Sequence, residues 1–495
     1  MRSRYILAID QGTSATKSLL VDQQGAVVAR GACPLTEQYP QPGWVEQDAD
    51  EIFASVQTSV ERCLAAVDAA GATYADRIAA VAFSTQRESL VLWERASGKA
   101  MSPVISWQDQ RTAAMADQLR TPRNEALIRE RSGLPLDPMF SALKAKWLLD
   151  RYDPSRALSR DRQLCLGTID SWLMSRFSTD PAHHIIEVGN ASRTQLLNVH
   201  EAAWDEQLLA LFDVPLAVLP RIVHSVGPFP PVRGLAPVPD GTPVHAVMGD
   251  SHAALFAHGA YAPGQVKVTY GTGSSVMGLV ASKDHLDPGV CLTIAWGITG
   301  PVYAAEGNIR SAGATLRWAA NLLGVDVDEL AALADTSTSN GAAIVPGFSG
   351  LGAPWWDRNA RGLLSGITLD TGRGQLARAA FESVALQVAD VVAAMDSSIG
   401  TLDCVYVDGG PTRNRGLLQL QADLLQRPVV RAMDAELSAL GVAHLAGLQA
   451  GVWTWDDLAA LQRQREPVAP LAAPAAMAPL KAAWFDALRR SRLAQ

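Results

Sequence analysis

Three glycine-containing segments each follow an apolar run: Asp10-Gln11-Gly12-Thr13-Ser14, Tyr270-Gly271-Thr272-Gly273-Ser274 and Asp408-Gly409-Gly410. Glycine lets backbone amides approach an anion, and Thr or Ser hydroxyls can donate to phosphate. Each segment alone also fits an ordinary turn. Three of them spread over the chain suit a nucleotide held between two domains better than three unrelated turns. Two carboxylates stand at strand ends. Asp10 is placed to hold a magnesium ion through water. Asp250, just after His245 to Met248, can accept a proton or cap a helix over Ser251 to His258. Arg87-Glu88, after Val81 to Ser84, offers donors and acceptors to the neighbouring hydroxyls of a polyol, and the indole of Trp107 can cover a carbon face. Taken singly, Arg87 and Glu88 read as a surface salt bridge and Trp107 as core. Together these parts are what transfer of a phosphoryl group to a hydroxyl requires: a phosphate cradle, a metal ligand, an acceptor grip and a base. No Walker A sequence exists, and no GxGxxG opens a helix after a strand.

The elements that must position these residues are short apolar runs alternating with helical patterns. Tyr5 to Ile9, Ser18 to Val21 and Ala26 to Ala29 read as a strand meander, with Asp22-Gln-Gln-Gly25 turning between the last two. Ala49 to Ala69 and Ser141 to Asp150 read as helices, and Ile78 to Ser84 and Val244 to Met248 as strands, which makes the chain α/β. Gly227 to Pro243 is rich in Pro and Gly, so a domain boundary is expected there. It divides residues 1–249, expected to bind sugar or polyol and carry a phosphate loop, from 250–495, expected to supply the base and bind nucleotide. The second half repeats the opening theme, because Val266-Lys-Val-Thr-Tyr-Gly-Thr-Gly-Ser274 again runs from an apolar strand into a Gly-Thr loop. Pro467 to Pro479 is expected to be an irregular connector before a final helix.

Composition bounds the partners. The chain has 495 residues, 48% of them hydrophobic and 19% charged, which is enough for two or more cores. A net charge of −8 without a block of clustered Lys and Arg argues against nucleic acid and for a small solute. The five cysteines are scattered and form no CxxC pair, which suggests neither a disulfide framework nor a zinc site and fits a reducing cytoplasm. The apolar run after Met1-Arg-Ser-Arg4 is too short for a signal peptide or a membrane span.

In their order these segments resemble the FGGY carbohydrate kinases, and within them most the glycerol kinases. The match runs from about residue 5 to 453. It includes Tyr5-Ile-Leu-Ala-Ile-Asp-Gln-Gly-Thr13, Pro40-Gln-Pro-Gly-Trp-Val-Glu46, Gln86-Arg-Glu-Ser89, Trp107-Gln-Asp-Gln-Arg-Thr112, Gly167-Thr-Ile-Asp-Ser-Trp-Leu173, Asn190-Ala-Ser-Arg-Thr194 and Phe348-Ser-Gly-Leu-Gly-Ala-Pro-Trp-Trp-Asp357. The C-terminal signature is met by Gly362-Leu-Leu-Ser-Gly-Ile367 with Gln375-Leu376 and Ala379-Ala-Phe-Glu382. Met139-Phe-Ser-Ala-Leu-Lys-Ala-Lys-Trp147 nearly meets the first signature, with Ala145 where a larger apolar residue is usual.

The resemblance implies two ribonuclease H-like domains of the actin or hexokinase type with a cleft for ATP and Mg2+ between them. It makes Asp250 the general base and Asp10 the metal ligand. Gly12, Thr13, Ser14, Lys17 (usually Arg), Gly271, Thr272 and Gly273 would contact the phosphates, and Gly313, Arg317 (commonly Gln), Gly410 and Asn414 the adenine side. Arg87, Glu88, Trp107 and Asp250 match the residues that hold glycerol. Met139 stands where a Tyr is expected, Ser251 where a Gln is expected and Ser275 where a Phe is expected. The smaller groups leave room for a four- or five-carbon polyol or ketose, with glycerol, xylulose and erythritol kinases as alternatives. His252 offers a new polar contact or lies on a helix surface. Val232-Arg-Gly-Leu-Ala-Pro-Val-Pro239 replaces the loop through which some bacterial glycerol kinases bind a sugar bisphosphate inhibitor, so that regulation is not carried over. A cytoplasmic homodimer or homotetramer is implied. A non-catalytic sugar sensor would predict loss of Asp10 or Asp250, or an added DNA-binding helix pair, and the chain shows neither.

Overall fold

The computed structural model describes residues 4–68, 74–178, 180, 183–283 and 286–493. They form two compact units. The first comprises Met1–Gly259, Leu292–Tyr303 and Glu436–Gln462; the second comprises Ala260–Cys291, Ala304–Ala435 and Arg463–Gln495.

The meander of the first unit is β1 (Tyr5–Gln11), β2 (Ala15–Val21) and β3 (Val27–Pro34), paired antiparallel. Asp22 Oδ1 accepts from the amides of Gln24 and Ala26, and Gly25 takes φ 79°, which closes the second turn. Helix α1 (Ala49–Asp68) starts where Asp48 Oδ1 accepts from the amides of Asp50 and Glu51. It lays Ile52, Val56, Val60, Cys63 and Leu64 into the core on a helical period. A Cβ on Gly31 would stand 2.1 Å from Ser59 O, so the bare glycine lets α1 lie against β3. The last residue of the expected helix, Ala69, lies outside the described residues.

Strands β4 (Ile78–Thr85) and β5 (Val244–Gly249) join in parallel, giving the order β5-β4-β1-β2-β3. Between them falls α2 (Ser141–Tyr152), as expected. Helix α3 (Asp250–Ala257) follows β5 and packs on helix Leu437–Gln449, so closely that a Cβ on Gly441 would meet Ala253 O at 1.7 Å. This packing carries the first unit past the boundary expected at 249, and the Pro/Gly-rich stretch before β5 lies within it.

The second unit is built on β6 (Gln265–Tyr270), β7 (Ser274–Leu279), β8 (Pro301–Ile309), β9 (Cys404–Gly409), β10 (Val429–Ala432) and β11 (Arg465–Val468). They lie in the order β8-β7-β6-β9-β10-β11. Strands β6, β7 and β8 are an antiparallel meander, and β9 and then β10 add in parallel on the β6 side. The meander with two parallel additions is the plan of the first sheet repeated. Helices α4 (Gly313–Leu323) and α5 (Arg373–Ile399) share the core of Val266, Val268, Val276, Val405 and Val407.

The expected connector Pro467 to Pro479 is irregular only over residues 469–473: Pro467 and Val468 end strand β11, and the final helix already starts at Pro474 and runs to Leu493, with Pro479 inside it. Pro474 at the first helical position loses no bond. Pro479 removes one, but burial of Trp484, Ala487 and Leu488 and the Trp484 Nε1 bond to Asp390 Oδ2 (2.7 Å) hold the helix.

Candidate active site

Parallel pairing of β1, β4 and β5 sets their carboxyl ends side by side, with Gln11 beside Thr85 and Thr85 beside Gly249. Asp10, the Gln86-Arg87-Glu88 turn and Asp250 are therefore brought to one end of one sheet. Ser84 Oγ donates to Asp10 Oδ1 at 2.9 Å, and Lys17 stands across from Asp10 on β2. Burial, and secondarily the charge of Asp250, pushes the Asp10 carboxyl up to about 6.

Asp250 is the first residue of α3. Gly249 is the cap position, and Asp250 Oδ1 accepts from the amide of Ser251 at 2.6 Å. Its side chain is 38% exposed, and Arg87 Nε lies 3.3 Å from Oδ1. Arg87 itself is 5% exposed and Glu88 4%. This is no surface salt bridge, because each member pairs elsewhere. Glu88 Oε1 accepts from Arg193 Nε at 2.6 Å, Ser141 Oγ donates to the Glu88 carbonyl at 2.9 Å, and the Glu88 backbone takes φ 60°. Trp107 is not core either. It is 37% exposed, and its Nε1 donates to Thr13 Oγ1 at 3.0 Å. A nucleotide-side candidate and an acceptor-side candidate thus touch.

Behind these groups lies a buried amide chain. Gln86 Nε2 donates to Gln11 Oε1 (3.2 Å) and Gln47 Oε1 (3.0 Å), Gln47 Nε2 donates to Thr13 O (2.7 Å), and Ser89 Oγ donates to Gln86 Oε1 (2.8 Å) and accepts from the Trp107 amide (3.0 Å). Asp109 and Arg111 hold the Trp107 segment, paired to each other and, through Arg111, to Glu46 (2.8 Å) and the face of Trp44. Met139 is half-buried ahead of α2. Lys144 of α2 donates to the Pro138 and Met139 carbonyls, and its burial lowers it to about 8. Ser251 is half-buried beside Asp250, and Gly12 and Ser14 form the β1–β2 turn, where the Gly12 amide donates to Ala15 O at 3.1 Å.

Sequence reading missed Gln47, Ser141 and Arg193 as support. Gln47 follows directly on the Pro40 to Glu46 segment, and Arg193 and Ser141 stood within the Asn190 to Thr194 and Met139 to Trp147 matches; membership of those segments was the available signal. His252 does not lie on a helix surface: it is fully buried, with Nε2 3.3 Å from Arg87 Nη1.

In the second unit the Gly271-Thr272-Gly273 loop connects β6 and β7. The amides of Ala312 and Ala314 donate to Thr272 O and that of Gly313 to Gly271 O, which seats the loop on the start of α4. A Cβ on Gly273 would stand 2.2 Å from Ile309 O and one on Gly313 2.5 Å from Gly271 O. Arg317 Nη2 donates to Thr272 Oγ1 at 3.2 Å. Gly409, at φ 98°, ends β9 beside Tyr270, and Gly410 and Asn414 follow. Asn414 Oδ1 caps helix α6 (Arg415–Leu425) by accepting from the Leu417 amide at 2.6 Å. Ser275 lies on β7 opposite Thr269 and Asn308, its hydroxyl buried and without a hydrogen-bond partner among the described residues.

A repeated meander with parallel additions, carboxylates at one set of strand ends and glycine loops at the other, is the two-domain α/β architecture of the actin and hexokinase class of phosphotransferases. The family model "FGGY family of carbohydrate kinases, N-terminal domain" matches residues 5–257, and that of the C-terminal domain matches residues 266–450. The chain belongs to the FGGY family of carbohydrate kinases and is an ATP-dependent phosphotransferase with an alcohol group as acceptor. It is 43% identical to a glycerol kinase of Aromatoleum aromaticum over 99% of both chains. It is 42% identical to an apulose kinase of Pectobacterium atrosepticum over 100% of this chain and 99% of that one. Among solved structures it is similar to Plasmodium falciparum glycerol kinase with ADP, with a TM-score of 0.89 and 27% identity, covering 100% of this chain and 99% of that one. Among the described residues no helix is long and apolar enough to cross a membrane.

Proposed function

We propose that this kinase phosphorylates a hydroxyl of a four- or five-carbon polyol or ketose in preference to glycerol. The observation that carries the phosphoryl-transfer part of the reading is the half-open Asp250 carboxylate at the end of β5, held 3.3 Å from a buried Arg87 whose neighbour Glu88 is itself locked by Arg193; the preference over glycerol rests on Met139, Ser251 and Ser275. Asp250 takes the proton of the acceptor hydroxyl as it attacks the γ-phosphorus. Arg87 and Glu88 bind the adjoining hydroxyls, and Trp107 covers the carbon chain. Met139 and Ser251, in place of a Tyr and a Gln, leave the acceptor more room, and Ser275 in place of a Phe does so by sequence. A relative named as an apulose kinase, 42% identical, agrees with an acceptor larger than glycerol, whereas the relatives named as glycerol kinases support the alternative.

Asp10 would hold Mg2+. A carboxyl raised by burial and by a second carboxylate regains its charge beside a cation, and Mg2+ needs only one or two protein carboxylates besides phosphate and water. When bound, the ion neutralises charge on the β- and γ-phosphates. Gly12, Thr13, Ser14 and Lys17 in the first unit, and Gly271, Thr272, Gly273, Gly313, Arg317, Gly410 and Asn414 in the second, are assigned to the nucleotide; Asn414 keeps its amide nitrogen for this while its oxygen caps α6. The division of labour then differs from the sequence expectation, with acceptor and base together in the first unit. A cytoplasmic homodimer or homotetramer belongs to the same proposal and is checked by light scattering.

The test is ADP release with magnesium-ATP against glycerol, erythritol, threitol, xylitol, ribitol, xylulose and ribulose, with Asp250→Asn as control. Turnover on a longer acceptor well above that on glycerol is expected; a clear preference for glycerol would overturn the enlarged acceptor site.

A further inference from the structure

The residue two places after the base is a fully buried histidine whose Nε2 lies 3.3 Å from Arg87 Nη1, while Arg87 Nε lies 3.3 Å from Asp250 Oδ1. A guanidinium has five donors and no acceptor, so the imidazole nitrogen in this contact must be the acceptor, and His252 faces Arg87 unprotonated at Nε2. The path of the arginine is equally confined. A Cβ on Gly249 would stand 2.5 Å from Arg87 Cδ and 3.1 Å from His252 Nδ1, so the bare glycine at the β5–α3 junction admits the arginine stem.

We propose that His252 is a positioning residue for acceptor recognition, one that fixes the rotation of the Arg87 guanidinium about its stem. It meets one terminal nitrogen while Asp250 faces Nε, so two contacts from one helix set the plane of the guanidinium. A carboxylate in this place would form a second ion pair and absorb the charge of Arg87. A neutral imidazole fixes the geometry and leaves that charge to the base and the acceptor. Asp250 and His252 sit on one turn of α3, so base and guanidinium are held in a fixed relation by one rigid element. The inference rests on the proposed acceptor site and adds to it a residue that need not touch the acceptor.

The test compares His252→Leu, which keeps an apolar body but offers no acceptor, with His252→Gln, whose amide oxygen can accept from Arg87. Acceptor KM and kcat, ATP KM and melting temperature are measured for each on the best acceptor found. Losing a hydrogen bond to a charged group predicts a fall of about tenfold or more in acceptor kcat/KM for His252→Leu, ATP KM changed by less than about twofold, and substantial rescue by His252→Gln. Should His252→Leu fail to fold, Gly249→Ala displaces Arg87 from the other side and is expected to raise acceptor KM in the same selective way. An unchanged acceptor KM in His252→Leu, or equal increases in acceptor and ATP KM, overturns the positioning role. If Asp250→Asn turns over as fast as the unaltered enzyme, the acceptor site itself falls; if Asp250→Asn is inactive while His252→Leu is normal, only this inference does.

Discussion

The two units share one sheet plan and use its strand ends differently. In the first, the ends of β1, β4 and β5 present side chains: Asp10, Arg87, Glu88 and Asp250. In the second, the corresponding ends of β6 and β9 present mainly backbone, through Gly271, Gly273, Gly409 and Gly410. The frame supplies positions, and under the proposed roles the residue type at each position decides whether it handles protons and hydroxyls or lies close to an anion. Charged side chains at strand ends need support from behind, which is why the first unit surrounds them with Gln47, Gln86, Ser141 and Arg193. Glycines need only close backbone approach, and the second unit provides that with carbonyls placed where a Cβ would intrude.

The comparison breaks most completely at the proposed base. Asp250→Asn should lower kcat by about 10²–10⁴-fold, the usual contribution of general base catalysis, with melting temperature nearly unchanged because the side chain is partly exposed. Measured ADP release on the best acceptor decides it.

Asp10, the proposed Mg2+ ligand, carries a stability cost. Its carboxyl is raised from 3.8 to about 6, so the folded chain binds that proton more tightly than the unfolded one. Its stabilising contribution is complete below the ordinary carboxylate value and is lost as pH rises through about 6. Asp10→Asn should therefore be more stable than the unaltered chain at pH 8, by roughly 2–3 kcal/mol at most, with the difference closing toward pH 4. Denaturant midpoints without nucleotide at both pH values test this, and turnover should drop in the same variant.

In the second unit, Gly273→Ala and Gly409→Ala would place a Cβ 2.2 Å from Ile309 O and 2.0 Å from Tyr270 O. Each should cost about 1–3 kcal/mol of stability and raise ATP KM more than acceptor KM. An increase confined to acceptor KM would undo the contrast between the units. The smallest effect concerns acceptor choice. Met139→Tyr combined with Ser251→Gln should shift the ratio of kcat/KM values toward glycerol by about 10-fold, the scale of one or two apolar and polar contacts, in the same panel of acceptors.

Much of this was legible in the chain. The opening meander stands where its apolar runs and the Asp22–Gly25 turn put it, and the second Gly-Thr loop does follow a strand that repeats the first. Other features were not. Arg87 and Glu88 read as a surface pair and Trp107 as core, and the structure inverts both, because burial depends on what packs over a turn and not on the turn. The division at 249 does not describe the whole of the first unit for the same reason: Leu292–Tyr303 and Glu436–Gln462 return to it from far along the chain. Pro479 lies in a helix because the apolar face beyond it, centred on Trp484, is buried.

The sequence by itself determined which side chains and glycines are present, that each follows a short apolar strand, and, through its ordered segments, the family. Only the tertiary structure decided that Asp10, Arg87, Glu88 and Asp250 share one sheet end, that Arg193 and His252 stand behind them, and that the Asp10 carboxyl is shifted. The physical reason is that parallel pairing of β1, β4 and β5 joins segments far apart in the chain and leaves no local pattern, while burial and electrostatic coupling belong to the assembled surroundings of a group and not to the group alone.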